Sequence, residues 1–271
     1  MLISVDHGNS AIKTNNISFI SGLTEYPVRP PLADDIIKYQ GVYWTLTGNR
    51  IAYMRNKTRD ERFFILTLFA ISKEMEKAGG VWPGLDIDLA AGLPPEHYSI
   101  LKDDFSEYFR RVNVNFTYND IPHCVNFDNV FVYPQAYAAV VPYSKMFITM
   151  PRVFIVDIGG FTIDVLLLRY GKPDLQFCRS LELGVIPMNN EIISKISSQY
   201  DLRIEDDHIA EVLQGHNTIL PDRAVIAIHE MVIAYVNNII NKLRELQVDL
   251  RVDPAVFLGG GGNLFRLYMC A

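Results

Sequence analysis

The sequence predicts an α/β fold whose loops carry the chemistry. Two observations lead there: β-branched apolar runs that stop at clusters of aspartate, glycine and hydroxyl residues, and helix-length segments with apolar residues at helical spacing, the two kinds alternating along the chain. Composition is the third, because 271 residues with 49% hydrophobic content can build one large or two ordinary domains with real cores.

The first element is the stretch 1–14, M-L-I-S-V-D-H-G-N-S-A-I-K-T, in which an apolar strand runs into Asp6 and a small polar turn of Gly8, Asn9 and Ser10, followed by Lys13. The turn offers backbone amides and a hydroxyl, and Lys13 the positive charge that a triphosphate needs. Residues 17–20, 25–28 and 42–46 are β-like, divided by Gly22, the prolines at 27, 30 and 31, and Gly41, so a meander is expected to complete the first sheet. Residues 59–77 form the first clear helix, with Phe63, Phe64, Leu66, Leu68, Phe69, Ile71 and Met75 on a wide apolar face. Its charges gather at its ends, as in a solvated helix, and Gly79-Gly80 stops it. Residues 85–93, L-D-I-D-L-A-A-G-L, alternate as a strand with Asp86 and Asp88 turned from the apolar side, a solvated face rather than a metal pair. Pro94-Pro95 then leads into a helix over 96–111, and strands follow at 112–118 and 130–133.

Residues 153–168, V-F-I-V-D-I-G-G-F-T-I-D-V-L-L-L, read as two buried strands joined by a tight turn that carries Asp157, Gly159, Gly160, Thr162 and Asp164. Adjacent glycines leave backbone N–H groups unshielded, while Thr162 adds a hydroxyl and Asp157 a carboxylate able to hold a hydrated metal ion. This suits a nucleotide phosphate with its Mg²⁺; an ordinary hairpin whose Asp and Gly residues only make the turn is the alternative. A strand over 175–182 and helices over 184–198, 206–213 and 223–246 follow, the last with Ile226, Ile233, Val236, Ile240 and Leu243 as an expected core stripe. His229-Glu230 is not a metalloprotease motif, because position 233 is Ile where a second His is needed. In 256–265, V-F-L-G-G-G-G-N-L-F, a strand runs into Gly259, Gly260, Gly261 and Gly262. Four glycines have no packing value and cost entropy, so bare backbone should be required there; a flexible linker is the alternative.

Three glycine turns in this order, each ending an apolar strand, resemble the actin-like ATPases, the superfamily that also holds heat-shock chaperones and sugar kinases. In that family D-x-G near the N terminus is the first phosphate loop, D-x-G-G-x-T-x-D the second, and G-G-G the adenosine loop; here they are Asp6-His7-Gly8, the motif from Asp157 to Asp164, and Gly259 to Gly262. The resemblance implies two ribonuclease-H-like lobes with mixed sheets facing a central nucleotide cleft. Residues 1–148 would be domain I, with a small insertion subdomain at about 17–115, and 149–271 domain II, ending in the adenosine loop without the family's C-terminal return segment. By the same resemblance residues 133–140, Y-P-Q-A-Y-A-A-V, are the crossing helix, and Gln135 just inside it positions the attacking water. A side-chain amide can orient water without carrying charge, although a Gln after Pro134 could also merely cap the helix.

The implied site therefore has Asp6, Gln135 and Asp157 as catalytic residues, with Mg²⁺ held through water by Asp6 and Asp157. Gly8, Asn9, Ser10, Lys13, Gly159, Gly160, Phe161 and Thr162 would hold the phosphates of ATP or GTP. Glu182, Gly184, Asn189, the four glycines and Asn263 would lie against the nucleoside. The strand ending in G-L-P and its Tyr-containing helix are similar to the plasmid-segregation actins of the ParM type, which implies a filament of identical subunits that moves plasmid DNA through a DNA-binding adaptor protein. A phosphotransferase of the same fold, such as a sugar or acetate kinase, and a cell-division or phage actin-like scaffold are the alternatives. A net charge of −6 argues against direct nucleic-acid binding. The widely spaced Cys124, Cys178 and Cys270 argue against a disulfide framework, and no uncharged run suits a membrane span, so a cytoplasmic protein is expected.

Overall fold

The computed structural model describes residues 1–54, 56–80 and 83–269, and the chain divides into two compact units, Met1–Ala138 and Ala139–Ala271. Both are α/β with a mixed sheet. Cys124 is a free thiol and the buried Cys178 thiol donates to the Asp174 carbonyl, whereas Cys270 lies outside the described residues.

Unit 1 contains β1 (Leu2–His7), β2 (Ala11–Lys13), β3 (Ser18–Ile20), β4 (Leu23–Tyr26), β5 (Ile36–Tyr39), β6 (Val42–Leu46), α1 (Arg62–Lys77), β7 (Pro83–Leu93), α2 (Pro95–Phe109), β8 (Val114–Tyr118) and β9 (Ile121–Pro134). Among the described residues the strands run β3-β2-β1-β7-β9-β8-β5-β6-β4, with the central trio β1, β7 and β9 parallel. The expected meander is not what forms. β3 and β4 lie at opposite edges of the sheet, although only Ser21 and Gly22 separate them in sequence. The edges must therefore come close, and Ser21 and Gly22 bond on both sides: the Ser21 N–H donates to the Ser10 carbonyl, and the Gly22 carbonyl accepts from Thr47. β5, absent from the sequence reading, pairs with β6 across a hairpin whose turn residues Gln40 and Gly41 both have positive φ.

Helix α1 packs against β1, β2 and β5, strands far apart in the sheet order, so the curled sheet wraps around it. Every residue from Phe63 to Ser72 is buried, which corrects the expectation of a solvated helix with one apolar face: a helix apolar all round belongs inside a core. Its buried Glu74 accepts hydrogen bonds from Thr14 and Asn16 and ties down the β2–β3 turn.

α3 (Tyr137–Val140) spans the division between the units, and unit 2 contains a 3-10 turn (Val141–Met146), β10 (Val153–Ile158), β11 (Ile163–Arg169), β12 (Lys172–Leu181), α4 (Val185–Tyr200), α5 (Asp206–Leu213), α6 (Asp222–Glu245), β13 (Ala255–Leu258) and α7 (Gly259–Met269). The sheet order is β12-β11-β10-β13, with β13 parallel to β10. The crossing helix expected over 133–140 is only Tyr137–Val140, since Tyr133 and Pro134 finish β9. In α6 the buried residues are Ala224, Ile228, Val232, Tyr235, Val236, Ile239 and Leu243. Ile226 and Ile233, expected in the core, are 58% and 48% exposed; isoleucines on both faces satisfied helical periodicity in the wrong phase. α6 is long and apolar enough by composition to cross a membrane, but its buried face belongs to the core of unit 2.

Candidate functional site

In unit 1 the parallel strands β1, β7 and β9 bring their C-terminal ends to one edge, the place where open α/β sheets hold ligands. Alternation turns Ile3, Val5 and His7 toward α1 and leaves Asp6 on the opposite, exposed face. Across the β1–β2 register Asp6 is paired with Lys13, so a carboxylate and an ammonium share that face. Val5 is level with Ala91, which places Gly92 beside Asp6, and Gly92 is level with Tyr133 on β9. Gln135 lies just past the end of β9, outside any helix. Its N–H donates to the Leu93 carbonyl, and Ala136, with φ of 60°, turns the chain away. The Gln135 side chain is directed to Asp6, its Nε2 donating to Oδ1 at 2.9 Å.

The loop after β1 is held from beneath by its carbonyls. Lys57, buried, donates its ammonium to the His7 carbonyl. Ser21 gives its hydroxyl to the Gly8 carbonyl at 2.6 Å and its N–H to the Ser10 carbonyl. In a trans peptide the C=O and the following N–H point in opposite directions, so the N–H groups of Gly8 and Asn9 are turned away from Lys57 and the Ser21 hydroxyl. The side-chain Oδ1 of Asn9 is buried without a hydrogen-bond partner among the described residues.

His7 forms the floor of the loop. It is fully buried, stacked on Phe109 with ring centroids 4.8 Å apart. Its Nε2 lies 2.7 Å from the Thr67 hydroxyl. That hydroxyl already donates to the Phe63 carbonyl, so Nε2 must carry the proton and Nδ1 is the bare nitrogen. Burial, reinforced by the charge of Lys57, lowers the His7 pKa from 6.5 to about 3, and the ring is neutral. Neither His7, Lys57 nor Ser21 was marked by the sequence as a site residue, because their contribution is contact across long sequence separations.

Unit 2 builds a similar loop by other means. β10 and β11 pair in register, Asp157 with Asp164 and Ile158 with Ile163, and residues 159–162 make the turn, closed by the Gly159 N–H on the Thr162 carbonyl. The first N–H groups of α4 donate into this loop: Val185 to Gly159, Ile186 to Gly160, and Gly184 to Phe161. Three consecutive carbonyls thus face α4, and the N–H groups of Gly160, Phe161 and Thr162 are turned from it. Gly184 must be glycine, since a Cβ there would lie 2.5 Å from the Phe161 carbonyl carbon and 2.6 Å from the Gly160 oxygen. Asp164 is buried and accepts from the Ser180 hydroxyl at 2.5 Å across β11 and β12.

The four glycines open helix α7 rather than a loop, and two of them do have packing value. Gly259 has φ of 78°, and a Cβ there would lie 2.5 Å from Asp157 Oδ1. At Gly261 a Cβ would meet Ile158 Cγ2 at 2.3 Å. Gly260 has nothing within 4 Å, and Gly262 makes only ordinary contact with Phe257; Asn263 is exposed in the same first turn. Glu182 is exposed at the end of β12. Asn189 is turned inward, its Nδ2 donating to Asp206 and its Oδ1 buried without a partner among the described residues.

No group of three or more His, Cys, Asp or Glu able to hold a metal occurs among the described residues. The Asp6 and Asp157 carboxylates, each one residue before the end of its strand, are oxygen donors of the type that Mg²⁺ takes.

Two family profiles match the chain: "Actin like proteins N terminal domain" over residues 40–137 and "Archaeal actin homologue MreB-like, C-terminal" over residues 155–268. Comparison with curated proteins gives no match. Among solved structures, an archaeal actin homolog in complex with ADP superposes with a TM-score of 0.75 at 18% identity, covering 98% of this chain and 88% of that one. A ParM from a 15-stranded filament of Clostridium botulinum gives 0.74 at 16% identity, covering 99% and 90%. The Alp12 filament structure gives 0.64 at 12% identity, covering 99% and 89%.

Proposed function

The chain belongs to the actin-like superfamily, and from that premise we propose that it is a nucleoside triphosphatase that binds ATP or GTP with Mg²⁺ and assembles into filaments. The observation that carries the reading is the Gln135–Asp6 hydrogen bond at the C-terminal ends of the parallel strands. A carboxylate accepts only, so Asp6 takes the NH₂ side of the Gln135 amide and leaves Oε1 turned outward, an acceptor for a proton of the attacking water. Hydrolysis of a phosphoanhydride depends mainly on positioning and electrostatics, and an oriented neutral amide supplies the first.

The loops supply the second. Backbone N–H groups at Gly8, Asn9, Gly160, Phe161 and Thr162, with Lys13, meet phosphate oxygens. Asp6 in unit 1 and Asp157 in unit 2 are the carboxylates that would each be able to hold a hydrated Mg²⁺, which would supply neutralisation of phosphate charge. Gly260 and Asn263 leave open space for the nucleoside, with Glu182 and Asn189 as further candidates. The ADP complex of the archaeal homolog supports nucleotide binding, and the ParM and Alp12 filaments support self-assembly. Segregation of plasmid DNA through an adaptor protein, in the cytoplasm, is the task most in keeping with those relatives and with the net charge of −6.

The test is sedimentation with simultaneous phosphate release, with and without Mg-ATP or Mg-GTP, on the wild type and Asp157→Ala. Nucleotide-dependent pelleting, with phosphate release lost in the variant, is the expected result. Phosphate release without pelleting at any concentration would remove the filament half of the proposal, and no release with either nucleotide would remove the enzyme.

A further inference from the structure

Gln135 and Asp6 sit on strands that are not neighbours. β7 runs between β9 and β1, and adjacent strands are about 4.8 Å apart, so the Gln135 side chain has to pass over β7 to reach Asp6. It passes over Gly92. By register Gly92 is the β7 residue that lies beside Asp6 on one side and Tyr133 on the other, on the exposed face of the sheet. A Cβ at that position would stand 2.7 Å from Gln135 Cγ, 3.3 Å from Nε2 and 3.4 Å from Cδ, so all three contacts are with the one side chain that crosses. Gly92 does not have positive φ, and its backbone conformation admits any residue. What requires glycine here is the crossing itself.

We propose that Gly92 is the positioning residue of the hydrolytic step: its bare Cα is the notch through which Gln135 reaches Asp6, and the notch sets where the amide oxygen points. This rests on the nucleotide-hydrolysis reading above and names a part of the same site. A Cβ at position 92 meets the Gln135 side chain at all three of its nearest atoms, so nucleotide affinity is spared while the water loses its orienting acceptor. Misplacement of a reacting group by about an ångström costs up to roughly a hundredfold in rate.

The experiment is a double-mutant cycle on the full chain with Gly92→Ala, Gln135→Ala and the two combined. It reads kcat for phosphate release, affinity for Mg-ATP and the denaturation midpoint. Gly92→Ala is expected to lower kcat between about tenfold and a hundredfold with affinity unchanged. The double variant should be no slower than Gln135→Ala alone, because the notch has no purpose once the side chain is gone. Should Gly92→Ala fold poorly, adding Gln135→Ala must restore the midpoint, since it removes the atoms that clash. Full activity of Gly92→Ala, multiplicative losses in the double variant, or a midpoint that Gln135→Ala does not restore would overturn the proposal. If the wild type hydrolyses neither ATP nor GTP, the hydrolysis reading fails. The Gly92–Gln135 contact is then still judged on its own, by whether the Gln135 side-chain NH₂ resonance shifts in Gly92→Ala.

Discussion

The two units make loops of the same kind with different supports. In each, a strand whose next-to-last residue is aspartate is flanked on one side by an antiparallel strand and on the other by a parallel one, and a glycine within one residue of the end of the parallel neighbour packs against the site. Gly92 makes room for Gln135, and Gly259 for the Asp157 carboxylate. In each, the loop carbonyls are held on the inner side so that N–H groups face out. Unit 2 does this with backbone, the first N–H groups of α4, whereas unit 1 uses side chains, the ammonium of Lys57 and the hydroxyl of Ser21. Across from the aspartate stands a cation, Lys13, in unit 1, and a buried second carboxylate, Asp164, in unit 2. A backbone support leaves only glycine contacts open to attack by mutation. A side-chain support is exposed to single substitutions and to pH.

The largest expected effect is therefore in unit 2, where Gly184→Ala drives a Cβ into backbone on two sides. The loop or α4 has to move, at a cost of about 3 kcal/mol, read as a lower midpoint in chemical denaturation together with loss of nucleotide binding. In unit 1, the pH dependence of His7 is next. Its folded pKa is depressed to about 3 from 6.5, so the unfolded chain takes up the proton first. Stability is complete above about pH 6.5 and falls as pH drops toward 3, by up to about 1.4 kcal/mol per pH unit. His7→Gln should flatten that part of the profile; an unchanged slope would contradict a buried neutral ring.

Smaller again is Lys57→Met, which leaves the His7 carbonyl without its ammonium donor and should cost roughly 1–3 kcal/mol and weaken nucleotide binding. The smallest effect on folding is expected at Gly260→Ala, where nothing lies within 4 Å: a midpoint within about 0.5 kcal/mol of wild type. A loss of nucleotide affinity in that stable variant would place the nucleoside against α7, and unchanged affinity would exclude it.

Much of this was legible in the sequence. Asp6, Gly8, Asp157, Gly159, Gly160 and Thr162 stand out because an acid and glycines break β-branched apolar runs, and local pattern is what such hairpins are made of. The supports were not legible, since Lys57 and Ser21 meet their carbonyls through tertiary contact and neither position differs in character from an ordinary loop residue. Gly92 reads in the sequence only as the end of a strand before Pro94, because only the strand order puts it between β1 and β9. The burial of α1 could have been read from the uncharged run between Phe63 and Ser72. The phase of α6 could not, with isoleucines on both of its faces.

The most direct test of the claim that both loops present N–H groups to one kind of ligand is an amide ¹H–¹⁵N titration of the full chain with Mg-ATP. Saturable shifts at Gly8, Asn9, Gly160, Phe161 and Thr162 are predicted, with little change along the groove between α4 and α6 lined by Lys195 and Glu230. Binding that shifts the groove and leaves those five amides in place would contradict the account.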